Sequence, residues 1–446
     1  MESTHEHKLP RFADSKEAAR LLIREEDAFA VFRNPGCLYP PYEVAPLASK
    51  VATLRGHCAA ILMDMDGTTT STEEFCCRAM EETLRRMSGA SADVWPGLDT
   101  VRDYPALIGY SGADNMRYLF DTYRGLPQPG PTMRSFLCAA AWGLGSEADP
   151  EAAPGVRALL AQLGMAALLS DPRFAGLCDS PGDGTRDAAE ALAQTLPPPP
   201  MDDQETFGRM GLVIYARQYH RLLNRLDDEP PGALVKPLSG VGVFLALVKG
   251  VLGDEGGALA EALCAAAPAC SRLPADDAAA CLASLARRFT RAPARLALVT
   301  SSTAFEASRV LHAVFRALRA QVDAWPVSGA CRRRVRDAFA SPETCYDAIV
   351  TSSETAEMRL KPWRDPYSQA LHRIGVGPAD FNRVVGFEDT EPGVLSLRAA
   401  GVGCAVALPF EGTEAHDFSP AAYVCPGGLP EVLLHHGLFL PPEVNT

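Results

Sequence analysis

The sequence predicts an α/β protein: a Rossmann-like parallel sheet with helices on both faces, carrying an inserted and enlarged α-helical lobe. Three observations predict it. Beyond residue 232, short apolar runs at 295–299, 348–350, 383–387 and 403–408 alternate with helical segments at 306–320, 366–374 and 393–400, and such alternation implies right-handed crossovers between parallel strands. An earlier run at 59–63 is apolar at every position, the pattern of a strand buried on both faces. Between 91 and 232 the pattern is helical, without a convincing run of strands.

Each element follows from its residues. At 446 residues the chain is long enough for two domains. Residues 1–50 form an N-terminal extension of mixed charge and proline, with a short helix expected at 15–32 and an extended lead-in to the strand at 59. The core is expected at 51–72 and 234–446, with an Ala- and Cys-rich insert at about 253–291, and the helical lobe at 73–233. The first helix of that lobe carries a capping box, Ser71 with Glu74, then Phe75, Ala79, Thr83 and Met87 at helical spacing, and Gly89 to end it. Leu212, Tyr215, Tyr219, Leu222 and Leu226 step by three and four along one helix face.

Composition excludes several classes. A formal net charge of −13, without a basic run, argues against a nucleic-acid partner. No run of 18 uncharged apolar residues occurs; the nearest candidate, 233–252, carries Lys236 and Lys249, so no membrane partner is expected. The first twelve residues lack the apolar stretch of a signal peptide. Thirteen scattered cysteines without a CxxC pair fit reduced thiols in a cytoplasm. His5, Glu6 and His7 are better read as a frayed terminus than as metal ligands. Oligomeric state is not encoded in any motif.

The chemistry lies where the strands end. The run at 59–63 stops in Asp64 and Asp66, the second in Thr300, Ser301, Ser302 and Thr303, and the fourth in Glu388 and Asp389; Lys361 follows in the loop after the third. Parallel strands deliver all of these to one edge, where ligands bind in open α/β sheets. Clustered carboxylates repel, and oxygen donors in this number suit Mg²⁺ together with a phosphate. The lysine and hydroxyls are donors for phosphoryl oxygens. A carboxylate can itself attack phosphorus, and a second acid can protonate the leaving oxygen. Any one of these residues is equally well a capping or turn residue; the ordered set is what carries the reading.

The ordered set resembles the haloacid dehalogenase-like (HAD) hydrolase superfamily, in its phosphatase and phosphomutase branch with an inserted helical cap, similar to β-phosphoglucomutases. The motifs are Asp64-Met65-Asp66-Gly67-Thr68, Leu298-Val299-Thr300-Ser301-Ser302, Lys361-Pro362 before a helix, and Gly386-Phe387-Glu388-Asp389-Thr390. The resemblance covers roughly 50–89 and 234–434. It implies Asp64 as nucleophile and Asp66 as general acid/base. It further implies Thr300, Ser301 and Lys361 as phosphate-binding residues. Mg²⁺ would be held by Asp64, the carbonyl of Asp66, Asp389 and Glu388. An acid at position 66 favours phosphate esters over carbon–halogen or carbon–phosphorus cleavage, whose branches lack it. The stretch 108–115, with Gly109, Ser111, Gly112 and Asn115, looks like the cap specificity loop. Sugar-phosphate mutases of this branch place an arginine near position 112, and Gly112 stands there. The resemblance thus implies a Mg²⁺-dependent phosphatase acting on a small phosphorylated metabolite. The alternatives are a sugar-phosphate mutase and, in a different class, a non-catalytic regulatory or binding protein that uses the large cap. Gly109-Tyr110-Ser111-Gly112 also approximates a serine-hydrolase elbow, but no buried strand precedes it.

Overall fold

The computed structural model describes residues 28–34, 39–54, 56–91, 93–145, 152–179, 186–266, 274–354, 357–410, 412–436 and 438–439. His5, Glu6, His7 and residues 180–184 lie outside them.

Six strands form one parallel sheet: β3 (Ala60–Asp64), β4 (Arg295–Val299), β5 (Ala348–Val350), β6 (Val384–Glu388), β7 (Cys404–Ala407) and β8 (Tyr423–Val424). Their spatial order is β5-β4-β3-β6-β7-β8. The sheet therefore runs outward from β3 to β5 on one side and from β6 to β8 on the other. This is the doubly wound arrangement with its switch point between β3 and β6, where two crossovers diverge and leave a crevice. β8, two residues long, was not legible as a strand.

The side chains of β3 divide between two layers, as a period of two requires. Ile61 and Met63 pack with Phe244, Leu282, Phe289, Val310 and Val314 on one face. Ala60 and Leu62 pack with Tyr367, Leu371, Val394 and Leu397 on the other. In the insert, the helix Ala275–Arg291 lays Leu282, Leu285 and Phe289 on the first layer, so it belongs to the sheet domain's core.

Between β3 and β4 stand the helices of the lobe: α1 (Glu73–Ser88), α2 (Gly112–Thr122), α3 (Pro129–Leu144), α4 (Ala152–Gln162), α5 (Pro172–Asp179), α6 (Arg186–Ala193) and α7 (Gln204–Asn224). They enclose their own core, including Phe136, Leu160, Leu177, Leu192, Phe207, Met210 and Ile214. α7 is buried on two sides. Phe207, Met210 and Ile214 face that lobe core, while Tyr215, Tyr219 and Leu222, from the stripe read in the sequence, pack toward the sheet domain. The chain leaves and re-enters the sheet domain side by side: the Ser71 amide donates to the Lys236 carbonyl at 3.0 Å, the Lys236 amide to Ser71 Oγ at 3.1 Å, and the Leu238 amide to the Thr69 carbonyl at 3.1 Å.

Two local expectations are corrected. The expected capping box of Ser71 and Glu74 does not form. α1 starts at Glu73 behind Thr72, which makes no side-chain cap, because the Thr72 hydroxyl is drawn to the Asp66 carboxylate and Ser71 Oγ is spent on Lys236. Gly89 does end α1, in the left-handed region at φ 68°. The helix expected at 15–32 is contradicted at its end, where β1 (Ala28–Arg33) pairs antiparallel with β2 (Tyr42–Leu47). Phe32 and Leu47 bury this hairpin against Trp363, Leu395 and Ala399, which a helix over the same residues would not do in register.

Arg398, 3% exposed, fastens the segment after β2 by donating to the Ala48 carbonyl at 2.6 Å and to the Pro420 carbonyl. Arg398→Ala leaves those half-buried acceptors without their donor, and a loss of about 1 kcal/mol is expected from urea unfolding. All eleven described cysteines are free thiols. No helix among the described residues is long and apolar enough to cross a membrane.

Candidate active site

The site is assembled at the switch point. β3 ends in Asp64, 5% exposed, and the chain then folds into a tight loop rather than continuing. The amides of Thr69 and Thr70 both donate to the Met65 carbonyl at 2.9 and 2.8 Å, and Thr69 Oγ1 donates to the Asp64 carbonyl at 2.6 Å. Gly67 takes φ +78° within this loop; a Cβ there would overlap the Asp389 carboxylate. The run of hydroxyls after the acids is thus loop framework, and it holds both carboxylates of the pair Asp64–Asp66 at the carboxyl edge.

From the neighbouring strand, Glu388 and Asp389 are fully buried. Glu388 accepts from the Tyr367 hydroxyl and, at 3.3 Å, from Thr390. Asp389 Oδ1 accepts from Thr68 at 3.0 Å, while its Oδ2 is buried without a hydrogen-bond partner among the described residues. Lys361 reaches in from its loop: its ammonium contacts the Asp64 carboxylate, Glu388 at 2.7 Å and the Val299 carbonyl at 3.3 Å. Burial works against that charge, but Asp64 and Glu388 outweigh it and the lysine pKa is raised.

One ammonium does not balance the carboxylates. Burial first, then Glu388 and Asp66, push the Asp64 pKa well up against the opposing pull of Lys361. Burial, Asp64 and Glu388 do the same to Asp389. One carboxylate oxygen from each of Asp64, Glu388 and Asp389 lies within 4.8 Å of the other two. An orphaned buried carboxylate oxygen in an all-oxygen cluster with excess negative charge fits a hard divalent cation.

The sequence-predicted residues converge. Asp64, Asp66, Ser301, Lys361 and Glu388 line one cavity of about 260 Å³ together with Gly109, Ser111, Gly112 and Asn115 of the lobe. Asp389 lies behind that lining, against Thr68 and beneath Gly67. Thr300 is placed differently from a free phosphate donor: its hydroxyl donates to Asp66 Oδ2 at 3.0 Å, alongside Ser302 at 3.3 Å, while Thr72 takes Oδ1. Ser301 is exposed within the cavity.

In the lobe loop, Ser111 caps α2 by accepting from the Asp114 amide at 3.2 Å and donating to Asp114 Oδ2 at 2.6 Å. Ser111 is therefore a capping residue with no buried strand before it, which removes the nucleophile-elbow reading. Gly109, at φ +80°, lets the lobe approach the sheet domain, since a Cβ there would meet Thr390 Cβ at 2.9 Å. A side chain at Gly112 would meet Leu212 Cδ2 at 2.9 Å. Asn115 Oδ1 is buried and unpartnered among the described residues.

Sequence reasoning missed Glu73, Tyr215 and Tyr219, which also line the cavity. Burial first, and then Asp66 and Asp64, push the Glu73 pKa well up. The signal was available only as helix register: Glu73 opens α1 directly behind the acid loop, and the two tyrosines are four apart on α7.

No protein-family model matches this chain, and no curated protein sequence matches it. Solved structures do. CbbY from Rhodobacter sphaeroides in complex with phosphate is 15% identical, with 84% of this chain and 99% of that one covered, at a TM-score of 0.40. A HAD family hydrolase from Deinococcus radiodurans with bound phosphate and sodium is 15% identical, covering 87% and 100%, at 0.36. A β-phosphoglucomutase from Clostridium difficile is 11% identical, covering 82% and 90%, at 0.34. At such identities and scores, function has to be argued from the residues of this chain.

Proposed function

We propose that this chain is a Mg²⁺-dependent phosphatase of the haloacid dehalogenase-like superfamily, hydrolysing a small phosphorylated metabolite through an aspartyl-phosphate. The observation that carries it is the buried Asp64 carboxylate at the switch point, contacted by Lys361, with Asp66 two residues on and both facing one cavity.

The chain's residues divide the work. An Asp64 oxygen attacks phosphorus as the ester P–O bond breaks, and Asp66 gives a proton to the leaving oxygen. Asp66 then takes a proton from water, whose oxygen attacks phosphorus and releases inorganic phosphate and free Asp64. Lys361 and Ser301 donate to the phosphoryl oxygens, and Thr300, Ser302 and Thr72 hold the Asp66 carboxylate for its two proton transfers. Asp64, Asp389, the Asp66 carbonyl and Glu388 would hold the cation, which supplies charge neutralisation for carboxylates and phosphate alike. The lobe loop excludes water and reads the remainder of the substrate.

Hydrolysis is favoured over mutase chemistry by the cavity wall. Lys361 is the one cation among its described lining residues, which include the acids Asp64, Asp66, Glu73, Glu306 and Glu388. A second phosphate group would find no guanidinium among those residues, and position 112 is a glycine. A purely regulatory protein would have no use for Asp64, Asp66 and Lys361 together in one cavity. The test is release of phosphate from an aryl phosphate by purified protein with Mg²⁺, followed by a panel of phosphorylated metabolites. EDTA is expected to abolish turnover and added Mg²⁺ to restore it; full activity in EDTA would reject the metal assignment.

A further inference from the structure

A second cavity lies in the helical lobe, apart from the active site. It measures about 520 Å³ and is lined by Arg85, Arg86, Arg134, Arg186 and Arg217, with Gln218 between them and Glu82 as the one carboxylate of its described lining. Five guanidiniums converge in a chain whose net charge is −13. Among the described residues, Glu81, Glu82 and Glu190 pair with Arg85, Arg86 and Arg134, so that three carboxylates stand beside five guanidiniums.

We propose that this cavity is a binding site for a small polyanion, a molecule carrying two or more phosphate-type groups, and that its occupancy is felt at the active site. Guanidinium forks match phosphate oxygens in pairs, and several of them together select multiple charge over a single carboxylate. The volume falls within the range of small-molecule sites.

The cavity is built into the fold. Arg217 and Gln218 are only 8% and 5% exposed, and Arg217 has an interaction partner of its own. Arg85 is fixed by Glu81 at 2.9 Å and by the carbonyls of Trp95 and Pro96 at 3.0 and 3.1 Å, with its guanidinium over the Trp95 ring. These bonds use most of its donors, so Arg85 contributes a fixed positive charge to the wall more than a free fork. Arg186, exposed at the start of α6, stands at the rim.

Two helices reach both cavities. α1 sends Glu73, Cys76 and Cys77 into the active-site cavity and Arg85 and Arg86 into the second, a span of about 20 Å at 1.5 Å per residue. α7 presents Tyr215 and Tyr219 to the first and Arg217 and Gln218 to the second. A polyanion that draws the end of α1 toward α7 therefore bears on the walls of the active site.

The test is titration of pyrophosphate into the full-length protein in EDTA, where Asp64, Glu388 and Asp389 lack a cation and repel anions. One-to-one binding with a Kd below about 1 mM is expected. Arg86→Ala and Arg186→Ala should each weaken it by about tenfold, and Lys361→Ala should leave it unchanged. Hydrogen exchange should slow at both 73–77 and 215–219 on binding. Absence of binding, unweakened (wild-type) affinity in both arginine variants, or loss of binding in Lys361→Ala would overturn the site. Protection confined to residues around the arginines would overturn its coupling to the active site.

Discussion

Asp64→Asn is expected to remove aryl-phosphate turnover, by roughly 10⁴–10⁶-fold, the scale seen when a covalent nucleophile is deleted, while the protein stays folded. The amide keeps the shape of the carboxylate at the end of β3 and removes its nucleophilic charge. It also removes one of three crowded carboxylates, whose burial and mutual repulsion are what push Asp64 and Asp389 up. Lys361 keeps Glu388 as its counter-charge at 2.7 Å. Turnover by phosphate release and folding by thermal unfolding settle the two halves separately. Normal turnover in the variant would reject the nucleophile, whereas an unfolded variant would show that Asp64 holds the switch point together.

The second large effect is expected at Gly67, which has no chemistry of its own. At φ +78° an alanine would cost about 1–2 kcal/mol in backbone strain. Its Cβ would also overlap the Asp389 carboxylate and approach Phe410 Cε1 at 2.9 Å, and such overpacking costs about 1–3 kcal/mol more. Gly67→Ala is therefore expected to lose about 2–5 kcal/mol in denaturant unfolding. The Mg²⁺ concentration needed for half-maximal activity should rise in the same variant, because Asp389 is the group displaced. An alanine variant of native stability and native Mg²⁺ dependence would contradict the proposed placement of the cation beside this loop.

What could be read in the sequence was whatever depends on nearest neighbours along the chain. The apolar strand read at 59–63, the acids that end it and the αL glycine that ends α1 all follow from local pattern. So do the alternating strands and helices after 295, and their meeting at one edge follows from parallel pairing. The helix expected up to residue 32 failed because hairpin pairing between 28–33 and 42–47 is a contact with Trp363 and Leu395 as much as with itself. The capping box failed for a related reason: Thr72 and Ser71 had better partners 6 and 165 residues away than the amides beside them. Thr300 was legible as a hydroxyl at a strand end, yet its hold on Asp66 depends on how β4 and the acid loop lie side by side. Glu73 and the two tyrosines of α7 required knowledge of helix rotation, which a stripe of apolar residues fixes only to within a face.

The paired crossing at Ser71 and Lys236 has a consequence for how the molecule can be altered. The two passes of chain are hydrogen-bonded to each other there, with Thr69 and Leu238 adjoining, and beside this closed buckle Phe75, Ala79, Tyr219, Leu223 and Leu226 of the lobe are sunk in the sheet domain's core. A different helical block spliced between those two anchor points would therefore have to rebuild that shared core before it could stand over the acid loop.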